Sequence, residues 1–151
     1  MKTTGTKYQY GRNIKDIAKD IRKDIKSATK AGTLPSGTKV SVKISRYSMG
    51  QSLTAAIKTL GDGVGILNPA RVRWEFDNPY KCPNVVEAGE MYTPVAAEAL
   101  KVIEKIVASY NYDNSDIMTD YYDVEFYGFT EIHWETRENE RIALLDAYAK
   151  E

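Results

Sequence analysis

Apolar residues recur along this chain with two different periods, and the periods mark out its elements. From Asn13 onward, Ile14, Ile17, Ala18, Ile21, Ile25 and Ala28 fall at three- and four-residue steps, which places them on one face of a helix. Gly32 is a plausible stop and Pro35-Ser36-Gly37 a turn. Val40, Val42 and Ile44 then alternate with Ser41, Lys43 and Ser45, the pattern of a strand with one wet face. Arg46 to Gly50 reads as a turn, and a second strand is expected near Ser52 to Leu60. A glycine-rich loop at 61–65 ends before Pro69. Val72, Trp74 and Phe76 alternate with Arg71, Arg73 and Glu75, which predicts a third strand.

Asp77 to Tyr92 contains two prolines and reads as an irregular connection. Thr93-Pro94 is a helix start, with Thr as cap and Pro in the first turn, and the apolar face runs from Val95 to Val107. Residues 111–122 form a polar, acidic, tyrosine-rich loop. Val124 and Phe126, then Ile132 and Trp134, predict a last strand or hairpin. A final helix from about Glu138 would place Ile142, Leu145 and Ala149 on one side. The order α-β-β-β-α-β-α predicts an α+β fold: a small, mainly antiparallel sheet with helices packed on one face. One domain is expected over residues 1–151, with residues 1–12 as a flexible arm or edge strand. Its core should share Ile14, Ile17, Ile21, Ile25, Val42, Ile44, Leu100, Ile103 and Val107.

A chain of 151 residues can bury such a core without staples. Cys82 is the only cysteine, so no internal disulfide forms. No apolar run has signal-peptide or membrane-span length, and cytoplasmic residence is the expectation. Eleven Tyr against three Phe is the compositional outlier, and suits both the rim of a small core and a binding surface. Net charge is zero, but the charges are segregated. Residues 1–60 hold thirteen Lys/Arg against three Asp, a net of +10. Residues 61–151 hold eight Lys/Arg against eighteen acids, a net of −10. Such a split suits a polyanion-binding face, an acidic interaction face or self-association through opposite charges, unless the halves interleave and neutralise each other.

Most catalytic patterns fail on spacing. The glycines at 61–65 lack the Lys-Ser/Thr of a phosphate loop, and a strand is predicted where its helix should begin. His133 and Cys82 are each single, so no zinc set of His and Cys exists. Asp113, Asp116, Asp120 and Asp123 do not match a calcium loop, which needs acids at alternate positions around a glycine. With Tyr121 they read as an acidic interaction loop ordered by its own hydrogen bonds. No metal or cofactor is expected. The basic half offers a ligand site instead: Lys43, Arg46, Arg71 and Arg73 to neutralise phosphate, with Tyr47 to stack on a base.

Two stretches also carry a likeness. One is Ile21-Arg22-Lys23-Asp24-Ile25-Lys26 with Val40-Ser41-Val42 and Arg46-Tyr47-Ser48-Met49-Gly50-Gln51-Ser52. The other is Tyr110-Asn111-Tyr112-Asp113-Asn114-Ser115-Asp116 with Thr119-Asp120-Tyr121-Tyr122-Asp123 and Phe126-Tyr127. Together they resemble a large-polyvalent-protein-associated domain family of phages, plasmids and conjugative elements, over roughly Asn13 to Tyr127. The chain departs from that family after the second strand. Thr54 to Ile57 lacks the family's tryptophan, and Gly61-Asp62-Gly63 stands where the family has an Asp-Gly-Pro turn. The resemblance implies a mobile-element gene and supplies no reaction.

These readings predict a non-catalytic binding protein of a phage or mobile element that counters a host defence by binding a nucleotide signal, a nucleic acid or a defence protein. The alternatives are a nucleic-acid-binding accessory module and a carboxylate-dependent, metal-assisted enzyme.

Overall fold

A computed structural model describes residues 3–48, 50–115, 118 and 124–151. The first helix, α1 (Ile14–Lys30), starts where the side chain of Asn13 accepts from the Lys15 amide. Its apolar face, Ile14, Ile17, Ala18, Ile21 and Ile25, is fully buried. Strands β2 (Thr38–Tyr47) and β3 (Gly50–Leu60) form an antiparallel hairpin, and β5 (Tyr127–Ile132) pairs parallel to β3. The strand order is therefore β2-β3-β5, with β2 and β5 at the two edges. Helix α4 (Pro94–Ala108) begins at Thr93, whose hydroxyl accepts from the Ala96 amide.

Helices α1 and α4 pack on one face of this sheet and close the core. Val42, Leu53, Ala55, Ile57 and Ile132 meet Ile17, Ile21, Ala99, Ile103 and Val107 there. Seven of the nine expected core residues are buried, and Ile44 and Leu100 pack against them at the margin. The α+β architecture, with helices on one face of a small and mostly antiparallel sheet, is as the periodicities predict.

The predicted third strand does not form. Residues Pro69–Asp77 are a helix, α2. Asn68 caps it by accepting from the Ala70 amide at 3.1 Å, and Pro69 supplies a pre-set first turn. Arg71–Glu75 and Arg73–Asp77 then bridge successive turns, a spacing that only a helix brings together. The element order is accordingly β-α-β-β-α-α-α-β-β-α, with the short α3 (Val85–Ala88) inside the connection expected to be irregular.

At the N-terminus the strand alternative is the one seen, and at the C-terminus the last helix differs from expectation. The N-terminal segment is docked: β1 (Thr3–Thr4) pairs with β4 (Tyr112–Asp113), and the amides of Gly5 and Lys7 donate to Asn111 and Ser109 carbonyls. The last helix, α5 (Trp134–Ala149), begins four residues early, because His133 caps it by accepting from the Glu135 amide. It buries none of its residues fully, and Ile142 is exposed. Helix α5 packs on α2, beyond the end of the sheet, where Arg141 pairs with Glu75 and the ring of Tyr148 lies against Phe76. Among the described residues no helix is long and apolar enough to cross a membrane.

Candidate functional site

Side chains of paired residues in a sheet share a face, so the register assigns each residue to one side. The inner face holds Val42, Leu53, Ala55, Ile57 and Ile132 under α1 and α4. The outer face then holds three rows: Ser45, Ser52 and Tyr127; Lys43, Thr54 and Phe129; Ser41, Ala56 and Glu131. Tyr47 opens this face at the hairpin end, paired with Gly50. No further helix among the described residues makes more than marginal contact with these strands.

The outer face carries rings that the core does not use. Phe129 is 55% exposed and Tyr47 48% exposed. Gly50, at φ 153°, lies between two tyrosines. A Cβ there would meet the Tyr127 ring at 3.3 Å and the Tyr47 ring at 3.6 Å. Glycine therefore lets both rings close over the start of β3. At the far end of the strands, the exposed Trp134 stacks on His133, with ring centroids 6.1 Å apart. Lys43 in the middle and Lys58 near the far end are exposed cations that take part in no ion pair among the described residues. From Ser52 to Lys58 the face extends about 20 Å, at about 3.3 Å per residue.

Of the predicted ligand residues, the structure keeps Lys43 and Tyr47 on this face and disperses the others. Arg46 has the opposite parity and donates to the Asn13 side chain at 2.8 Å, bracing the start of α1. Arg71 is buried on α2, held by Glu75 and by the Gly89 carbonyl at 2.7 Å. Arg73 pairs with Glu151 and Asp77, contacts that hold its guanidinium protonated beyond its ordinary range. Arg71 thus ties α2 to the end of α3, and Arg73 ties α2 to the residue at the end of the chain after α5. Sequence reasoning missed Phe129 and Tyr127, whose alternation was masked by the misplaced last strand.

The other candidate features have local explanations. The glycine loop is indeed followed by a helix, contrary to expectation, yet the amide at its end is taken: Ile66 N–H donates to the Glu140 carboxylate at 2.9 Å. Asp113 accepts from the Ser115 amide, and that bond first of all holds its carboxyl below the usual range. Asp116, Asp120, Tyr121 and Asp123 lie outside the described residues. Among the described residues no group of three His, Cys, Asp or Glu is placed to hold a metal ion.

A polar cluster ties the N-terminal segment to the helices. Tyr110 donates to Asp24 at 2.5 Å, Lys7 donates to the same carboxylate oxygen at 2.7 Å, and Arg12 pairs with Asp20. Burial alone would raise the Asp24 carboxyl, but the bonds from Lys7 and Tyr110 outweigh it and it titrates below its ordinary value. Burial, and then the hydrogen bond to Asp24, push the Tyr110 phenol well up.

No protein-family model, curated protein or solved structure matches the chain. The class of molecule is thus defined by its own geometry: an α+β domain with one sheet face packed and the other open, aromatic and partly basic.

Proposed function

We propose that this chain is a non-catalytic binding protein whose open sheet face takes a nucleotide-bearing ligand, single-stranded nucleic acid above all. The observation that carries the reading is the exposed rings of Tyr47 and Phe129, with the half-buried Tyr127 between them, beside Lys43. Every base has a π-face, so exposed rings bind bases with little regard to sequence, at about 1–3 kcal/mol per stacked base. Lys43 and Lys58 stand where they would neutralise phosphate, while Thr54, Ser45 and Ser52 offer hydroxyls between the rings. Glu131 opposes phosphate at one margin and favours a path that runs along β2 from Tyr47 to Lys43 and then across the row to Phe129.

In the mobile-element setting that the resemblance implies, such a protein would act by occupying or sequestering a nucleic acid or nucleotide signal on which a host defence depends. The test is a fluorescence-anisotropy titration of a labelled single-stranded oligonucleotide, repeated over a range of salt. The reading expects saturable binding whose affinity falls with salt, and at least a fivefold loss in Phe129→Ala. Binding unchanged in both Phe129→Ala and Tyr47→Ala would remove the open face as the site.

A further inference from the structure

The two edges of the sheet carry opposite charges. At the β2 edge, α1 and β2 enclose a groove of about 670 Å³. Arg22, Lys26 and Lys30 form one four-residue row along α1 on this groove, and Lys39 faces them from β2. Arg22 donates to the Val42 carbonyl at 2.7 Å, which fixes the row against the strand. At the β5 edge, α4 and β5 enclose a second groove, of about 550 Å³, on which lie the carboxylates of Glu104, Asp113 and Glu131.

Several charged groups of these grooves stand without an ion-pair partner among the described residues. Lys26, Lys30, Lys39, Glu104 and Glu131 enter none of the ion pairs among the described residues. Those pairs are also confined within the two halves of the chain. Lys7–Asp24 and Arg12–Asp20 join residues of the basic half, and the four others join residues of the acidic half. Part of the charge segregation read from the sequence therefore persists in the fold, with Arg22, Lys26, Lys30 and Lys39 on one flank and Glu104, Asp113 and Glu131 on the other. Because β2 and β5 are separated by β3, one copy cannot bring its flanks together.

We propose that copies of this chain associate head to tail, the α1–β2 flank of one seated on the α4–β5 flank of the next. Such an interface is heterologous: each copy offers two different surfaces, and every added copy leaves one of each free. The grooves are similar in volume and opposite in charge; the basic one lies off the ring-bearing face, whereas the acidic one takes in Tyr127 and Phe129 at the β5 margin of that face, so assembly and a ligand on those rings compete. Charge complementarity of this kind gives steered association that salt weakens, since the screening length falls from about 10 Å at 0.1 M to about 3 Å at 1 M.

The test is sedimentation velocity on the full chain without nucleic acid, using variants at exposed positions. Lys26→Glu with Lys30→Glu reverses the basic flank, and Glu104→Lys with Glu131→Lys reverses the acidic one. At about 20 mM salt the wild-type mass should at least double with rising concentration, and should return to that of one copy at about 0.5 M. Each double variant alone should stay at one-copy mass. An equimolar mixture of the two should recover a species of two copies or more, since one intact flank of each kind is then present. Wild-type protein that stays at one-copy mass overturns the proposal, as do flank variants that assemble like wild type or a mixture that stays at one-copy mass. If wild type stays single and Lys26→Glu with Lys30→Glu instead loses oligonucleotide affinity, the basic groove belongs to a polyanion and the assembly is likewise overturned.

Discussion

The inner and outer faces of the sheet are built from the same residues in alternation, yet they have opposite fates. Leu53, Ala55 and Ile57 are wholly buried beneath α1 and α4, while their neighbours Ser52, Thr54 and Lys58 face outward. On β5 the contrast is sharper, for Ile132 closes the core and Phe129, three positions earlier, is left more than half exposed. Apolar area is worth about 25 cal/mol per Å² when removed from water. A phenylalanine left outside forgoes that gain, and the domain remains closed without it. The inner face is therefore where stability resides, and the outer face is free to bind.

Truncation on the inner face should produce the largest effect. Ile21→Ala should lower unfolding free energy by about 2–5 kcal/mol, the usual range for a buried Ile, as read by urea denaturation. Ligand affinity of the folded fraction should not change. A loss below 1 kcal/mol would break the contrast between the faces.

Next in size is the bond that joins the end of α4 to α1 in the cluster where the N-terminal segment docks. Tyr110→Phe removes the donor to Asp24 and should cost about 1.5–3 kcal/mol, as for a hydrogen bond to a charged group. The Asp24 carboxyl titrates lower in the folded protein than in the unfolded chain, so the unfolded chain binds the extra proton first. Its contribution is full above the unfolded value of about 3.9 and is lost as pH falls through the folded one. Asp24→Asn should accordingly flatten the acid limb of a thermal-stability profile below about pH 4. An unchanged acid limb would mean that the cluster does not anchor the segment.

On the outer face the signs reverse. Phe129→Ala should leave stability within about 0.5 kcal/mol, as for an exposed side chain, while weakening oligonucleotide binding by about 1–3 kcal/mol. Lys43→Ala should have the smallest effect, reducing the salt slope of binding by about 0.7, the value for one phosphate contact on a single strand. A stability loss in Phe129→Ala comparable with that of Ile21→Ala would show that the outer face is covered after all.

Much of this was legible from periodicity, and the failures have physical causes. The α1 repeat, the β2 alternation and the Thr93-Pro94 start were readable because each rests on many residues or on a cap. Residues 71–76 misled because alternation over so short a run does not separate strand from helix. The Asn68-Pro69 start and the four-residue Arg/acid spacings held the answer. Reading Arg71 and Arg73 on a strand turned two structural arginines into ligand candidates. Lys43 could be placed on the outer face because strand parity alone fixes its side, whereas Tyr47, read as a turn residue, proved to be the last residue of β2. Phe129 could be placed only once the pairing of β5 with β3 was known, a contact between residues some 75 apart in sequence.

Ring resonances test the central claim most directly, because the chain has only three phenylalanines in three distinct environments. Phe126 is buried in the core, Phe76 packs on Tyr148 at the α2–α5 corner, and Phe129 stands on the open face. With ring-labelled phenylalanine, titration of a short single-stranded oligonucleotide should shift the Phe129 signal upfield, as stacking on a base requires, and leave the Phe126 and Phe76 signals in place. A Phe129 signal that does not move while the oligonucleotide binds would contradict the account.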